Sequence, residues 1–118
     1  MRLDKITQTS LLYDFYGQLL TKRQQEVMEL YHDENLSLSE IAQEFSISRQ
    51  GVHDTLKNAE KLLQSYEEKL GLVEKFQRSR DAIQAIDKVI DQIVAESRDA
   101  RLTGRLQNIK TIIDNLDQ

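Results

Sequence analysis

The chain has 118 residues, a formal net charge of −4, four glycines, and neither proline nor cysteine. This length supports one domain, with a helical extension at most, and the absence of cysteine excludes disulfides and thiolate metal sites. The acidic balance gives no general attraction to nucleic acid, so DNA binding would depend on a local cluster of basic residues. Because little in the composition interrupts long helices, the chain is predicted to be all-α.

Two helices are predicted at the start of the chain. Leucine and aromatic residues recur at three- and four-residue spacing and predict an amphipathic helix that ends near Leu20. Thr21 and Gln24 form the capping-box pattern Thr-x-x-Gln, which predicts a second helix over residues 22–31. The residues that this second helix is expected to bury are Val27, Leu30 and Tyr31.

The central segment has the pattern of a helix-turn-helix unit. Ser37 and Glu40 repeat the capping box and predict a short helix. Ser48 is a cap candidate for a long helix that Gly71 ends, and Ala42 is small, as expected where the second helix crosses close over the first. The residues expected to pack between the two helices are Ile41, Phe45, Ile47, Val52 and Leu56. The stripe expected along the long helix is Val52, Leu56, Ala59, Leu63, Tyr66 and Leu70.

The outward face of the long helix is the candidate DNA-binding surface. In helix-turn-helix units this second helix lies in the major groove, and its first residues contact base edges. The side chains expected to face DNA are Ser48, Arg49, Gln50, His53, Asp54, Lys57 and Lys61. Arg49 suits guanine or phosphate, Gln50 suits adenine, and the two lysines suit phosphates. Asp54 repels the DNA backbone unless it accepts from a cytosine amino group, and together with Glu60 it leaves one positive charge in surplus on the helix.

The remainder of the chain is predicted to form a C-terminal helical hairpin. Its turn is expected over residues 97–103, with Gly104 in the first turn of the last helix. The apolar stripe of the hairpin consists of Ile83, Ile86, Ile90, Ile93, Leu102, Leu106, Ile109, Ile113 and Leu116. A hairpin buries only part of this stripe, so the protein is predicted to be a homodimer held largely by its tail and its first helix. The alternative is a monomer in which the tail packs back on Leu11, Phe15 and Leu19. The expected domains are residues 1–71, with the helix-turn-helix at about 37–70, and residues 72–118.

The segment from Phe15 to Tyr66 resembles the YlxM family of small bacterial helix-turn-helix proteins. Its most specific motif, SLSEIAQEFSISRQGVHDTLK, is also similar to region 4 of sigma factors, which implies a helix-turn-helix core of the same kind. The genes of the YlxM family lie beside those for the signal recognition particle GTPase and its receptor. The resemblance therefore implies a role in that pathway or in its regulation.

The sequence departs from sigma region 4 at the positions where bases are read. Sigma factors carry an acidic residue and then two arginines across the positions of Gln50, Gly51 and His53, so this face has lost positive charge. Ser46 replaces a glycine that is common in the turn, at a cost of about 1–2 kcal/mol if the turn requires a left-handed residue there.

Two functions are left open by these features. The first is a DNA-binding regulator, and the second is an adaptor that binds a protein or RNA component of the signal recognition particle. A helical bundle corner with no nucleic-acid role is also consistent with the acidic balance. No enzyme, cofactor or metal site is expected, because His32 and His53 lack partners at ligand spacing and neither an activated nucleophile nor a glycine-rich phosphate loop is present. A cytoplasmic location is expected, since no stretch approaches the roughly 18–20 apolar residues of a membrane span and the first residues lack a secretion signal.

Overall fold

The computed structural model describes residues 4–116, which form six α-helices and a short 3₁₀ turn. The helices are α1 (Lys5–Tyr16), α2 (Lys22–His32), α3 (Leu38–Phe45), α4 (Arg49–Leu70), α5 (Leu72–Glu96) and α6 (Ala100–Leu116). The described residues contain no strand, so the prediction of an all-α fold is confirmed. The chain divides into two compact units, Met1–Val73 and Glu74–Gln118.

Side-chain caps start α2 and α3 where the sequence predicts them. Thr21 and Ser37 each accept a hydrogen bond from the backbone N–H three residues on, and the side chains of Gln24 and Glu40 accept from the N–H of the cap residue. Both predicted capping boxes are therefore present. The N–H of Ser37 holds the pKa of the Glu40 carboxyl below its ordinary value. At the other end, α4 stops as predicted at Gly71, which has a left-handed φ of 63°.

The central helix of the first unit is α4, because it packs against α1, α2 and α3. Between Val52 and Leu63 its predicted stripe is buried. The buried apolar residues of this unit are Leu12, Tyr16, Leu20, Val27, Met28, Ile41, Ala42, Val52, Leu56, Ala59, Leu63 and Val73. Four helices packed in this way enclose a contiguous core.

The end of the first helix differs from the prediction. Instead of continuing to Leu20, α1 ends at Tyr16 and is followed by a 3₁₀ turn over Gly17–Leu19. The carbonyl of Gly17 accepts from the Leu20 N–H at 3.1 Å and from Gln25 Nε2 at 2.8 Å. A side chain of α2 therefore satisfies a carbonyl at the end of α1 and allows the chain to turn there.

The prediction that Tyr31 is buried is wrong. This residue lies in the last turn of α2, is 39% exposed, and packs its ring edge-on against His32. Met28 takes the buried position beside Val27, and Leu30 packs against the core while partly buried. The Tyr31 side chain stays partly hydrated, whereas the flexible apolar side chain of Met28 fills the space inside.

Two further residues of the predicted core, Ile47 and Leu70, are exposed. Ile47 lies in the turn between α3 and α4, and Leu70 is the last residue of α4. Both lie at the ends of elements, where fewer neighbouring side chains surround a residue than in the middle of a packed helix.

A hydroxyl buried in the first unit holds the start of α5. The Tyr16 hydroxyl donates to Glu67 Oε1 at 2.6 Å and accepts from the Leu72 N–H at 3.1 Å. The same carboxylate oxygen accepts from the Val73 N–H at 3.0 Å. These bonds satisfy two of the N–H groups that the first turn of a helix leaves without an intrahelical partner. Burial raises the pKa of Tyr16 above its ordinary value.

The second unit is a helical hairpin in which α6 begins earlier than predicted. The turn covers residues 97–99, so the prediction of a turn over 97–103 is wrong at its far end. Asp99 Oδ1 accepts from two backbone N–H groups in the first turn of α6, at 3.0 and 3.2 Å, and thereby caps this helix. Gly104 lies inside α6.

Few apolar residues of the hairpin are buried. Ile90 and Ile113 are buried, and Lys110 Nζ donates to Asp91 Oδ1 at 2.6 Å across the two helices. The large apolar residues of the hairpin that are exposed are Ile86, Val89, Ile93, Leu102, Ile109, Ile112 and Leu116. Two helices therefore leave much of the predicted stripe in contact with water.

Candidate nucleic-acid interface

The turn between α3 and α4 is closed by a left-handed residue. Ser46 has φ 55° and ψ 44°. Its N–H donates to the Gln43 carbonyl at 3.3 Å, and the Ile47 N–H donates to the Ala42 carbonyl at 3.0 Å, which is the hydrogen-bond pattern of a Schellman motif. The turn thus requires the left-handed conformation, and Ser46 carries a backbone cost of about 1–2 kcal/mol that a glycine avoids.

The start of α4 is held by a side-chain cap and by the crossing with α3. Ser48 Oγ accepts from the Gly51 N–H at 2.9 Å, as predicted for a cap. A Cβ at Gly51 would lie 3.2 Å from this oxygen, so the missing side chain leaves room for the cap. Val52 is fully buried where α4 packs on α3, and Ile41 and Ala42 of α3 are buried there too. This packing turns the opposite side of α4 toward solvent.

The residues predicted to face DNA are all exposed. They are Ser48, Arg49, Gln50, His53, Asp54, Lys57 and Lys61. Ser48 is the cap of α4 and Arg49 is its first residue, whereas the other five project from its sides away from Val52. We call this surface the α4 face.

A hydrogen bond joins two polar side chains near the start of the α4 face. Gln50 Nε2 donates to Asp54 Oδ1 at 3.0 Å across one helical turn. His53 Nδ1 lies 3.7 Å from the same oxygen. Asp54 is therefore not an isolated charge, and it restricts the orientation of the Gln50 amide.

Glu60 does not belong to the α4 face. Its Oε1 lies 3.9 Å from Nε2 of His32 in α2, and α2 packs against α4. The expected surplus of one positive charge therefore underestimates the net charge of the α4 face, which has three basic residues and one acidic residue, Asp54.

Arg23 in α2 adds a basic group beside the turn that sequence reasoning missed. Its guanidinium carbon lies 4.3 Å from the centroid of the Phe45 ring, at the end of α3. The signal in the sequence is the basic pair Lys22 and Arg23 directly after the Thr21 cap. Only the packing of α2 on α3 brings this pair near the helix-turn-helix unit.

A separate cleft of about 100 Å³ lies between α1 and α2 and is lined mainly by polar and acidic side chains. In it the Tyr13 hydroxyl donates to Glu29 Oε1 at 3.1 Å, and burial together with this bond raises the pKa of Tyr13 to about 12. Among residues 4–116, no three side chains of the metal-binding types are grouped to hold an ion. Over the same range, no helix has both the length and the apolar character that crossing a membrane requires.

Several proteins of known sequence are similar to this chain. A UPF0122 protein of Desulforamulus reducens is 57% identical over 79 residues, which make up 66% of this chain and 68% of that protein. A UPF0122 protein of Thermoanaerobacter sp. is 44% identical over 108 residues, or 92% of each chain. A UPF0122 protein of Acetivibrio thermocellus is 44% identical over 117 residues, which make up 96% of this chain and 100% of that protein.

A family profile matches most of the chain. It is that of UPF0122, "Putative helix-turn-helix protein, YlxM / p13 like", and it covers residues 3–102. This range contains both helices of the helix-turn-helix unit and extends well beyond the segment that carries the resemblance. The predicted relation to YlxM is confirmed, and the chain belongs to the UPF0122 family of YlxM-like helix-turn-helix proteins.

Proposed function

We propose that the protein is a non-enzymatic, cytoplasmic regulator that binds duplex DNA through the α4 face. The observation that carries this proposal is the exposure of all seven predicted contact residues at a helix whose opposite side is buried against α3. In helix-turn-helix proteins the second helix of the unit enters the major groove in this way. Membership in a helix-turn-helix family supports the same assignment.

Five of the seven side chains have an assigned contact in this proposal. Ser48 uses its oxygen for the cap, and its hydroxyl hydrogen is left to donate to a phosphate. Arg49 binds guanine or a phosphate, and Gln50 pairs with the edge of adenine. Lys57 and Lys61 bind phosphates farther along the groove and fix the register of the protein.

A salt titration of DNA retardation tests this proposal. Wild-type protein is expected to retard genomic fragments at low salt, and the double variant Arg49→Ala, Lys57→Ala to bind more weakly. The slope of log affinity against log salt should decrease by about 0.9 for each phosphate contact removed. The matched control, Lys69→Ala with Arg80→Ala, removes the same charges at exposed positions outside the α4 face and should leave the slope unchanged.

If wild-type protein retards no fragment at low salt, the DNA proposal is wrong. The alternative is then an adaptor that binds a protein or RNA component of the signal recognition particle. The net charge of −4 favours the protein-binding form of this alternative, because an acidic chain has no long-range attraction to DNA or to RNA. A pull-down from cell extract, analysed for both protein and RNA, separates the two functions.

We also infer that two copies of the protein pair through the second unit. Its hairpin buries Ile90 and Ile113 but leaves Ile112 63% and Leu116 70% exposed. Extended apolar strips on a protein surface mark interaction sites. Two hairpins packed as a four-helix bundle cover both strips, and a twofold dimer presents two recognition helices to paired half-sites.

Light scattering at micromolar concentration tests the dimer. Wild-type protein is expected at twice the single-chain mass of 13.8 kDa, and a mass near 13.8 kDa would overturn the inference. The variant Ile109→Asp, Ile112→Asp places charges on exposed positions and should yield monomers, whereas a substitution of buried Ile90 would unfold the hairpin itself. Gln107→Asp with Asn108→Asp adds the same charges at exposed polar positions of α6 and should remain dimeric.

A further inference from the structure

The bond between Gln50 and Asp54 is the most specific polar feature of the α4 face. We propose that Asp54 is a specificity residue, which makes this face select bases that present an amino group in the major groove, cytosine or adenine, and reject guanine and thymine. This inference rests on the proposed binding of duplex DNA.

The hydrogen bond between Gln50 and Asp54 leaves two acceptor oxygens on this pair of exposed side chains. Gln50 Nε2 uses one of its two hydrogens on Asp54 Oδ1, at 3.0 Å, and His53 Nδ1 lies 3.7 Å from that oxygen. The second carboxylate oxygen of Asp54 and the carbonyl oxygen of Gln50 belong to the same pair of exposed side chains. A carboxylate is an acceptor only, so a base that meets it must donate.

The major groove offers such donors at only two of the four bases. Cytosine presents its N4 amino group and adenine its N6 amino group, whereas guanine presents the acceptors N7 and O6 and thymine the acceptor O4. Once α4 excludes water from the groove, an oxygen of Asp54 that faces O6 or O4 lacks a partner and is repelled. The carboxylate also repels phosphates, which weakens binding to unrelated DNA and increases the ratio of specific to non-specific affinity.

Selection from a pool of duplexes with a randomised central segment tests the role of Asp54. Wild-type protein is expected to enrich cytosine or adenine at one position of each half-site. Asp54→Asn preserves the size of the side chain and its acceptor for Gln50, but replaces the outer oxygen by an amino group. At that position the preference over guanine should decrease by about fivefold or more, and binding to unrelated duplexes should become tighter.

A matched control separates base reading from net charge. Asp14→Asn makes the same charge change at an exposed position of α1 and should leave the base preference unchanged. Gln50→Ala removes the amide but preserves the carboxylate, so the adenine contact of Gln50 should be lost while the position read by Asp54 keeps its preference. Thermal unfolding followed by circular dichroism establishes that each variant is folded.

The outcomes distinguish this inference from the function on which it rests. If wild-type protein retards no duplex at low salt, the proposed DNA binding is wrong. If it binds duplexes but enriches no base, or if Asp54→Asn tightens binding to all sequences equally, DNA binding stands and the role of Asp54 is overturned.

Discussion

In the first unit, α4 lies among three other helices, and residues such as Val27, Ile41 and Leu63 are fully buried. In the second unit, two helices bury Ile90 and Ile113 and leave apolar residues exposed along both. The difference lies in the number of packed elements, because a helix among three others can bury more than one face and a helix in a hairpin only one stripe. The first unit encloses its own core, whereas the second has an apolar strip that a partner would cover.

Spectroscopy can follow the first unit by itself. The chain has four tyrosines, Tyr13, Tyr16, Tyr31 and Tyr66, and all of them belong to the first unit. Tyrosine fluorescence therefore reports the unfolding of that unit, while hydrogen exchange of the amides in α5 and α6 reports the hairpin.

The largest effect is expected when a buried side chain of the central helix is shortened. Leu63→Ala leaves a cavity in a fully buried position of α4 and should decrease the free energy of unfolding of the first unit by about 2–5 kcal/mol. Ile109→Ala, at a position of α6 that is 44% exposed, should change the free energy of unfolding of the first unit by less than about 0.5 kcal/mol. Urea unfolding followed by tyrosine fluorescence measures both values. Equal losses for the two variants would contradict the view that the first unit is self-sufficient.

The next effect concerns the hydroxyl that holds the start of α5. Tyr16→Phe leaves the ring in place but removes the bonds to Glu67 Oε1 and to the Leu72 N–H. Because these two groups then lack a hydrogen-bond partner, the free energy of unfolding measured in urea should decrease by about 1–3 kcal/mol. Tyr31→Phe, at an exposed ring in α2, is the control and should have almost no effect.

Alkaline pH tests the same environment without mutation. Burial raises the pKa of Tyr16 above its ordinary value of 10.0, and burial together with the Glu29 bond raises that of Tyr13 to about 12. Above pH 10.0 the folded state therefore retains protons that the unfolded state has lost. The contribution of the two tyrosines to the free energy of unfolding is complete below pH 10.0 and is lost as the pH rises through their pKa values in the folded state. Tyrosine-detected stability should decrease between pH 10.0 and about 12, and less steeply in Tyr16→Phe. Identical slopes for the two proteins would show that the Tyr16 environment contributes nothing.

Smaller effects of opposite sign are expected at two left-handed residues of the first unit. Gly71 has φ 63° and nothing near its missing Cβ, so Gly71→Ala should cost about 1–2 kcal/mol through backbone strain alone. Ser46 has φ 55°, and Ser46→Gly should stabilise the unit by less than about 1 kcal/mol, because the relief of strain is partly offset by the entropy of glycine. Thermal unfolding measures both changes, and a destabilising Ser46→Gly would contradict this explanation of the turn.

The smallest effect is expected at the ion pair of the hairpin. Lys110 Nζ lies 2.6 Å from Asp91 Oδ1, but the carboxylate is largely exposed, and pairs of this kind gain little in water. Asp91→Asn should leave hydrogen exchange in α5 and α6 nearly unchanged, whereas Ile113→Ala, which opens the buried contact, should accelerate it. Strong acceleration by Asp91→Asn would mean that charge rather than apolar burial holds the two helices together.

The sequence by itself determined the features that depend on neighbouring residues. The caps at Thr21, Ser37 and Ser48 and the stop at Gly71 each involve groups only three or four residues apart, so the residue types and their spacing are sufficient to predict them. The exposed side of α4 was predictable for the same reason, since one buried residue and the period of the helix determine which side chains point outward.

The tertiary structure alone decided the features that join distant residues. The bonds of the Tyr16 hydroxyl span 51 and 56 residues, and no local pattern predicts them. Packing of α2 against its neighbours turned Glu60 toward His32 and brought Arg23 to the Phe45 ring, which changed the charge around the helix-turn-helix unit. The physical reason is that local hydrogen bonds start and end helices, whereas the partners of a side chain in another helix depend on how the helices pack.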